Sequence, residues 1–389
     1  MSPILRHQLL DVLRPFGEST MLPAAAYTDD GVLAWEQRHL FDGGWVCVGR
    51  TSEIAEPRMQ KAIQVGASSV LLTRGDDGEL WAMANICRHR GHELLACGAT
   101  NQRGTIVCPY HAWVYDLDGS LRNAPKVDRI ETDQMGLLPV RSASWAGWVF
   151  VNVDGQAPPF DEYLGDIPAL LDNWDLDQLQ VVRTHQYELQ ANWKLACENY
   201  HECYHCPLIH PELCRVTVAN SGDNYRANPG AFVGGTMILA DHAQTMSMSG
   251  SSPATARPRL TDDQRRQVLY LNLFPNLLLS VHPDYALTHR IEAVAPGVSR
   301  IECQWLFDPA DLARDGFDPS EVIGLWDVTN RQDWAAVESV QRSMTSPLYT
   351  PGILAHGEDA VYQFAGMVAN AYLGNGLIRG AIPDSYARR

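Results

Sequence analysis

Two segments decide this fold: Cys87-Arg88-His89-Arg90-Gly91 and Cys108-Pro109-Tyr110-His111, with eighteen residues between His89 and Cys108. Each segment supplies one cysteine and one histidine from a tight loop. A [2Fe–2S] cluster held by two thiolates on one iron and two neutral imidazoles on the other needs these four ligands. Gly91 and Pro109 suit loops that bend so that backbone N–H groups approach the sulfurs.

A structural zinc site with two cysteines and two histidines is the alternative interpretation of the same four residues. Common zinc spacings keep the cysteines together in one half of the motif and the histidines together in the other. Here each half is mixed, and Tyr110 and Trp113 provide an apolar cover beside the second loop. The pattern therefore favours the iron–sulfur cluster over zinc.

Length, charge and cysteine content restrict the class of protein. The 389 residues, 46% of them apolar, suffice for two domains, and no apolar run reaches the length of a membrane span. Nine cysteines at scattered positions argue against a disulfide framework, and with no secretory signal at the N-terminus they predict a cytoplasmic protein. The net charge of −16 disfavours nucleic acid and anionic membranes as partners.

Alternating apolar residues and turn residues predict an all-β unit of about a hundred residues, which ends before Pro158-Pro159. Its predicted strands are Trp45–Val48, Lys61–Val65, Ser69–Thr73, Leu80–Asn85, Gly104–Cys108, Trp113–Asp116 and Trp145–Val153.

The remainder is predicted to be α+β. A helix that Asp29 or Asp30 caps is predicted over Thr28–Phe41, another over Trp326–Met344, and a further helix begins at the cap Asn192. Ser221–Ala256 has no strong periodicity and is interpreted as a surface excursion or a substrate-covering loop. The predicted strands are Val181–Leu189, Leu269–Val281, His289–Val294 and Arg300–Phe307, the last three in an antiparallel sheet.

A second metal site is predicted on the helix that Asn192 begins. Glu202 and His205 are three residues apart and share one face of a helix, and Pro207 lets the chain leave the helix so that His210 returns beside His205. Two imidazoles and one carboxylate form the facial triad of non-haem Fe(II) oxygenases, which leaves positions open for O₂. Histidines satisfied by hydrogen bonds at a helix end are the alternative.

Geometry alone does not choose the carboxylate of this triad. Asp327, Asp333 and Glu338 lie on the predicted late helix, and Asp284 lies in a loop. A carboxylate on the solvated face of a helix is the usual interpretation of such residues.

The paired motifs together resemble the catalytic α subunits of the Rieske non-haem iron oxygenases, over nearly the whole chain. The resemblance implies an α+β protein in which an all-β Rieske domain (residues 44–156) is inserted in a helix-grip catalytic domain (residues 1–43 and 157–389). It implies Cys87 and Cys108 on one iron of the [2Fe–2S] cluster, with His89 and His111 on the other.

The same resemblance implies that His205, His210 and Asp333 hold the mononuclear Fe(II), since Asp333 matches the family's Asp-x₄-Glu helix pattern. Within one subunit the two centres are far apart in this family, and electrons pass between neighbours of a head-to-tail trimer. By position, Glu202 is the bridge from His205 to the His111 of a neighbouring subunit.

Glu202 departs from ring-hydroxylating members, which usually carry Asp there with one more residue in the preceding spacing. Glu198–Pro207 and Phe274–Tyr285 look more like members that oxidise glycine betaine, carnitine or proline betaine. Such enzymes hydroxylate a carbon beside the cationic nitrogen and release formaldehyde. An aromatic cage would suit the cation, and its candidates are Tyr200, Tyr204, Tyr285 and Trp305.

The expected protein is therefore the oxygenase component of a two-component monooxygenase acting on a small quaternary ammonium substrate. It would use O₂ and electrons that a separate flavin and iron–sulfur reductase takes from NAD(P)H, as a homotrimer. Hydroxylation of an aromatic ring by the same irons is the alternative within the family. A Rieske electron carrier without oxygen chemistry is the alternative from another class.

Overall fold

The structure is a computed structural model that describes residues 3–129, 131–219, 221–226 and 228–382. The chain forms two compact units, residues 36–160 and residues 1–35 together with 161–389. Among the described residues, no helix combines the length and the apolar character needed to cross a membrane.

The smaller unit is built of three antiparallel sheets, ordered β1-β10-β9, β4-β3-β2-β5 and β6-β7-β8, which confirms the predicted all-β architecture. Its strands are β1 (Val46–Arg50), β2 (Met59–Val65), β3 (Ser68–Arg74), β4 (Leu80–Ala84), β5 (Thr100–Gln102), β6 (Ile106–Val107), β7 (Val114–Tyr115), β8 (Leu121–Asn123), β9 (Arg141–Trp145) and β10 (Trp148–Asn152).

The prediction of one strand over Trp145–Val153 is wrong. Ala146 and Gly147, with φ of 48° and 83°, form the tight turn of a hairpin in which Trp148 pairs with Trp145. Two consecutive left-handed residues give the turn that matches the twist of paired strands. Because the first of these two residues is an alanine, the sequence pattern does not indicate a turn here.

The core of the smaller unit contains both cysteines of the two loops. Cys87 and Cys108 are each 2% exposed and belong to one apolar cluster with Met83, Trp113 and Tyr115. The sheets therefore bring the cysteines of the two loops into one buried, apolar environment.

The helices belong mainly to the larger unit. They are α1 (Arg6–Val12), α2 (Ala25–Thr28), α3 (Asp30–Glu36), α4 (Phe160–Leu164), α5 (Ile167–Leu170), α6 (Trp193–Tyr200), α7 (Cys206–Ile209), α8 (Leu213–Val216), α9 (Pro309–Leu312), α10 (Ser320–Met344) and α11 (Asp359–Leu373). A π-helical turn follows α3, and short 3₁₀ turns lie at Thr51–Ile54, Thr132–Gln134, Asp172–Trp174, Leu176–Gln178 and Gln264–Arg266.

Two predicted helix starts are confirmed. Asp29 Oδ1 accepts a hydrogen bond of 2.9 Å from the backbone N–H of Val32, and Asn192 Oδ1 accepts one of 3.1 Å from the backbone N–H of Lys194. Each side chain satisfies a backbone donor that has no partner within the helix.

A seven-stranded antiparallel sheet in the order β11-β17-β16-β15-β14-β13-β12 forms the centre of the larger unit. Helix α10 packs against β11 and against α6. The strands are β11 (Gln180–Leu189), β12 (Asp223–Asn224), β13 (Phe232–Ile238), β14 (Gln267–Leu273), β15 (Leu277–Val281), β16 (Tyr285–Ala295) and β17 (Val298–Phe307). The predicted α+β class and antiparallel sheet are confirmed.

One strand prediction in this sheet is wrong, and one strand lies where none was predicted. Leu269–Val281 is not one strand, because a turn at Phe274–Asn276 separates β14 from β15. Strand β13 lies inside Ser221–Ala256, which was expected to be a loop. Gly234 at its centre has no side chain to continue the alternation, and a Cβ there would lie 2.1 Å from the carbonyl oxygen of Tyr270.

Candidate metal centres

The two cysteine loops of the smaller unit have the same backbone geometry. The N–H of Gly91 donates to the carbonyl of Cys87 over 3.0 Å, and the N–H of Ala112 donates to the carbonyl of Cys108 over 3.0 Å. Both donors lie in the left-handed region, with φ of 72° and 56°. Each loop therefore turns back at the fourth residue after its cysteine. A glycine makes this turn without steric cost, whereas Ala112 does not.

The sulfurs of these loops receive several hydrogen-bond donors. The backbone N–H groups of Tyr110 and His111 donate to the sulfur of Cys108. The hydroxyl of Tyr115 lies 3.3 Å from Cys87 Sγ. Burial, with the adjacent Cys87 thiol adding to it, raises the pKa of Cys108 above its ordinary value despite the N–H donors. The Cys108 thiol therefore keeps its proton against water, and a metal that binds its sulfur would displace that proton.

The two imidazoles of these loops lie beside each other. Their ring centroids are 4.7 Å apart, and the ring of His89 stacks on Trp113 with its centroid 4.9 Å away. Desolvation and the nearby His89 and Arg90 lower the pKa of His111. Its Nδ1 is buried and has no hydrogen-bond partner among the described residues. An unpaired buried nitrogen beside two buried thiols fits a metal cluster.

The second centre lies in the larger unit, where three donor atoms converge. Nε2 of His205 and Nε2 of His210 are 3.1 Å apart, and Oδ1 of Asp333 lies 3.4 Å from the first and 2.8 Å from the second. His210 is 1% exposed. Two imidazole nitrogens and one carboxylate oxygen are the donor set of a non-haem Fe(II) site.

The segment that carries these histidines differs from the predicted continuous helix. Helix α6 ends at Tyr200, and Glu202 and His205 lie in the turn between α6 and α7. Pro207 is one of the first two residues of α7, so it begins a helix and does not end one. A proline at this position is favourable because its missing N–H would have no partner there.

The other nitrogen of each imidazole is held by a side-chain oxygen. Oε1 of Glu202 is hydrogen-bonded to Nδ1 of His205, and Oε1 of Gln332 lies 2.7 Å from Nδ1 of His210. An acceptor at Nδ1 places the proton there and leaves the Nε2 lone pair for a metal. Gln332 was not predicted, and its position next to Asp333 is the feature of the sequence that points to it.

In the metal-free chain the centre attracts positive charge. Burial alone would lower the pKa of His205, but hydrogen bonds to Asp333 and Glu202 outweigh it and raise the pKa to about 9. Burial would raise the pKa of Asp333, and its bonds with the two histidines hold it below the ordinary value. A site that binds a proton this firmly suits a divalent cation. The residues therefore fit a mononuclear metal.

The other carboxylates that the sequence offered point elsewhere. Asp327 accepts from the hydroxyl of Tyr187 over 2.7 Å, and Glu338 accepts from the backbone N–H of Gln190 over 3.0 Å. Asp284 is buried and accepts hydrogen bonds from two side-chain hydroxyls, and burial raises its pKa to about 6. Of the four candidates, Asp333 is the one that contacts His205 and His210.

A cavity in the larger unit opens beside this centre. It encloses about 800 Å³ of empty space, including its mouth, and Tyr200, Tyr204, Tyr270 and Trp326 are its aromatic lining. Trp305 and Tyr285, which the sequence offered for an aromatic cage, are instead in the apolar core, 0% and 1% exposed.

A disulfide joins Cys203 and Cys206 in the turn that carries His205. The sequence had predicted no disulfide framework and had singled out neither cysteine. Sγ of Cys206 lies 4.0 Å from Nε2 of His205.

Comparison with known proteins gives two family matches. Residues 44–136 match the family described as "Rieske [2Fe-2S] domain", and residues 176–374 match "Ring hydroxylating alpha subunit (catalytic domain)". The glycine betaine monooxygenase oxygenase subunit of Chromohalobacter salexigens is 30% identical over 378 residues, covering 89% of this chain and 84% of that protein.

Two solved structures share the fold. One is a quaternary ammonium Rieske monooxygenase, with a TM-score of 0.78 and 24% identity, covering 95% of this chain and 99% of that chain. The other is naphthalene 1,2-dioxygenase from Rhodococcus sp., with a TM-score of 0.79 and 21% identity, covering 95% and 98%. Since enzymes named for quite different substrates have this fold, the fold does not select the substrate.

Proposed function

Because the chain belongs to the Rieske non-haem iron oxygenases, the family of the ring-hydroxylating α subunits, we propose that it hydroxylates a small quaternary ammonium compound. Proteins of this kind are the oxygenase component of a multicomponent system, so a separate reductase supplies the electrons. The carbon attacked is one beside the cationic nitrogen. Its hydroxylation consumes one O₂, two electrons and two protons and releases water. The resulting cationic carbinolamine then loses formaldehyde and one proton to leave a demethylated tertiary amine.

The observation that carries this proposal is the way the cavity aromatics use their polar atoms. The hydroxyl of Tyr200 is bonded to Ser280 Oγ at 2.9 Å, and the hydroxyl of Tyr270 donates to Met246 Sδ at 3.1 Å. Nε1 of Trp326 donates to the hydroxyl of Tyr285 at 2.7 Å.

None of those three partners is among the residues that line the cavity. Tyr200, Tyr270 and Trp326 therefore offer the cavity ring surface and not hydrogen-bonding groups. Ring surface attracts a methylated cation, which has no N–H to donate. Glu202 and Asp333 also line the cavity, and their two negative charges would offset the two positive charges of bound Fe(II), so that the loaded site does not repel a cationic substrate.

Four residues of the smaller unit would hold the cluster, Cys87, His89, Cys108 and His111. His205, His210 and Asp333 would hold the mononuclear iron. Bound together, these two centres supply single electrons and O₂ activation. Glu202 and Gln332 fix the orientation of the two iron-binding imidazoles. The aromatic rings of the cavity position the substrate, and the burial of the ligands limits the access of water to the iron.

We also assign Glu202 as the bridge through which electrons reach His205 from the cluster of a neighbouring subunit. One carboxylate oxygen of Glu202 is bonded to His205 Nδ1, and Oε2 accepts from the backbone N–H of His205 over 3.1 Å. A carboxylate held this firmly is suited to join two imidazoles. This role requires an assembly of subunits, and a homotrimer is the one we propose.

The domain limits 1–43, 44–156 and 157–389 remain our assignment, with residues 1–2 and 383–389 outside the described residues. A cytoplasmic location is likewise proposed from the scattered spacing of the nine cysteines; among the described residues the structure joins Cys203 to Cys206 in a single disulfide, which is not a framework.

Hydroxylation of an aromatic ring is the second candidate, and the aromatic lining of the cavity is the observation that supports it. Aromatic side chains around a cavity also suit a planar apolar substrate. The carboxylates of the cavity distinguish the two proposals, since only a cationic substrate depends on the charge of Fe(II) being offset.

The decisive experiment is turnover with O₂ and a flavin and iron–sulfur reductase against two sets of compounds. One set holds glycine betaine, carnitine, proline betaine and choline, and the other holds benzoate and naphthalene. We expect formaldehyde from the first set and no hydroxylated product from the second, with the Asp333→Ala protein as the inactive control. Hydroxylated aromatics without formaldehyde would support the second candidate. A preparation that contains the two cluster irons and no mononuclear iron would support the electron-carrier interpretation.

A further inference from the structure

Cys206 is positioned beside the mononuclear centre as a possible metal donor. Its sulfur and the nearest nitrogens of His205 and His210 all lie within 4.8 Å of one another. Cys206 is 3% exposed, so water does not compete strongly for its sulfur. Cysteine sulfur beside two imidazoles is a donor set that binds Fe(II), Co(II) and Zn(II).

The disulfide decides whether this sulfur can act as a ligand. A disulfide sulfur carries no negative charge and is a poor donor, whereas a thiolate is a strong one. We propose that reduction of the Cys203–Cys206 disulfide makes Cys206 a fourth protein ligand of the mononuclear metal. This inference rests on the proposed assignment of His205, His210 and Asp333 as the metal ligands.

The redox step balances with an ordinary dithiol as reductant. The dithiol gives two electrons and two protons to the Cys203–Cys206 bond and becomes a disulfide itself, and two thiols form in the turn. The Cys206 thiol then releases its proton when its sulfur binds the metal. Oxidation by a small disulfide reverses both steps.

The turn permits both states without a change of the backbone path. The Cα atoms of Cys203 and Cys206 are 4.8 Å apart, within the range that disulfides require. His205 lies between them and contributes to the same centre, so the sulfur of Cys206 is already near the metal position. Only its bond to Cys203 has to break.

The consequence is a change in the number of free metal positions. Three protein donors leave positions for O₂ and substrate, as in the facial-triad oxygenases. Four protein donors complete a tetrahedral set of the kind found in closed structural sites. The redox state of this turn would therefore set how open the centre is.

Two substitutions separate the states without any added reductant. Cys203→Ser leaves Cys206 with no disulfide partner, so its sulfur is permanently free to bind. Cys206→Ser removes the proposed ligand and leaves the three others. Cys214→Ser is the matched control, because Cys214 is a free cysteine packed against the same apolar cluster and takes no part in the donor group.

The probe is Co(II), added anaerobically to protein that keeps its iron–sulfur cluster but has been stripped of mononuclear metal. The spectrum before the addition is subtracted, so the cluster does not contribute. Weak visible bands report cobalt bound at the centre, and an intense near-ultraviolet band reports a thiolate bound to it. Alkylation followed by mass spectrometry gives the state of each cysteine in the same samples.

We expect the thiolate band in Cys203→Ser and in dithiol-treated wild-type and Cys214→Ser proteins. It should be absent from oxidised wild type and from Cys206→Ser. If Cys203→Ser and reduced wild type both show the visible cobalt bands but not the thiolate band, the inference is wrong, although the metal centre itself is supported. A thiolate band in Cys206→Ser would overturn it too. No cobalt band in any of these proteins would instead reject the metal centre on which the inference rests.

Discussion

Gln332 and His210 meet through a side-chain carbonyl oxygen that lies 2.7 Å from the imidazole Nδ1. The same imidazole meets Asp333 at its Nε2 over 2.8 Å. Two consecutive residues of α10 therefore hold both nitrogens of one ring. The amide fixes the proton on Nδ1, and the carboxylate and the imidazole Nε2 are left to share a cation.

Replacing Gln332 by leucine should weaken metal binding without removing a ligand. The loss of the Nδ1 acceptor frees the ring and its tautomer, and partners of this kind change metal affinity by about 10–100-fold. Equilibrium titration of the metal-depleted protein with Fe(II) measures the change. Gln332→Glu keeps an acceptor at the same place and should retain most of the affinity; equal losses in both variants would mean that packing, not the hydrogen bond, is responsible.

Asp333→Ala should abolish mononuclear iron and spare the cluster. The variant removes one of three ligands and leaves the two imidazoles without a counter-charge. We expect iron to fall from about three to about two atoms per chain, with the visible spectrum of the cluster unchanged. Asp327→Asn, on the same helix but bonded to Tyr187, is the control and should keep all its iron. Full iron content in Asp333→Ala would refute the assignment.

Tyr115→Phe should lower the reduction potential of the cluster. The hydroxyl of Tyr115 accepts from the backbone N–H of Arg88 over 3.0 Å, so its own proton is free to be donated to Cys87 Sγ. Such a bond stabilises the more negative, reduced cluster. A hydrogen bond that contributes about 1 kcal/mol net corresponds to a shift of about 40 mV in the one-electron reduction potential.

Protein-film voltammetry or a redox titration followed by circular dichroism measures that shift. Tyr110→Phe is the matched control, since Tyr110 is 53% exposed and its hydroxyl has no such sulfur contact among the described residues. An unchanged potential in Tyr115→Phe, or an equal fall in the control, would count against the hydrogen bond.

Tyr270→Leu should raise KM for a quaternary ammonium substrate more than it lowers kcat. The ring lies edge-on to Tyr200 at 5.6 Å and offers its surface to the cavity. Loss of one cation–π contact of about 0.5–2 kcal/mol corresponds to a rise of about 2–30-fold. Steady-state formaldehyde release measures it. Tyr270→Phe keeps the ring and should behave as wild type; a similar rise there would assign the effect to the hydroxyl.

Glu198 should make the iron-loaded protein less stable as the pH rises. This carboxyl accepts from the hydroxyl of Tyr27 over 2.7 Å and is buried, and burial raises its pKa from 4.5 to about 8. The folded chain then holds a proton that the unfolded chain has lost above pH 4.5. Stability is therefore lost as the pH rises from 4.5 to about 8, by about 1 kcal/mol per pH unit.

His201 acts in the opposite sense but in a lower range. Burial lowers its pKa from 6.5 to about 3, so its contribution changes only below pH 6.5. Urea unfolding between pH 6.5 and 8 thus reports Glu198, and Glu198→Gln should flatten the slope there. An unchanged slope in this variant would mean that Glu198 is ionised in the folded protein.

Local sequence determines part of the two metal centres. The four residues of the cluster lie within twenty-five positions, and each pair is separated by one or two residues of a turn. Turn geometry depends on immediate neighbours, so Cys87, His89, Cys108 and His111 indicate their chemistry without knowledge of the fold. His205 and His210 do so for the same reason.

The tertiary structure decided the rest. Asp333 lies 123 residues beyond His210, and four carboxylates were candidates until α10 was placed against α6. The same holds for Gln332 and for the rings of Tyr270 and Trp326, which reach the cavity from separate strands and helices. Contacts between distant residues depend on how the sheet and helices pack, and no local pattern records that packing. The sequence by itself determined the ligand types of both centres, whereas the packing determined which carboxylate, which supporting amide and which aromatic rings surround them.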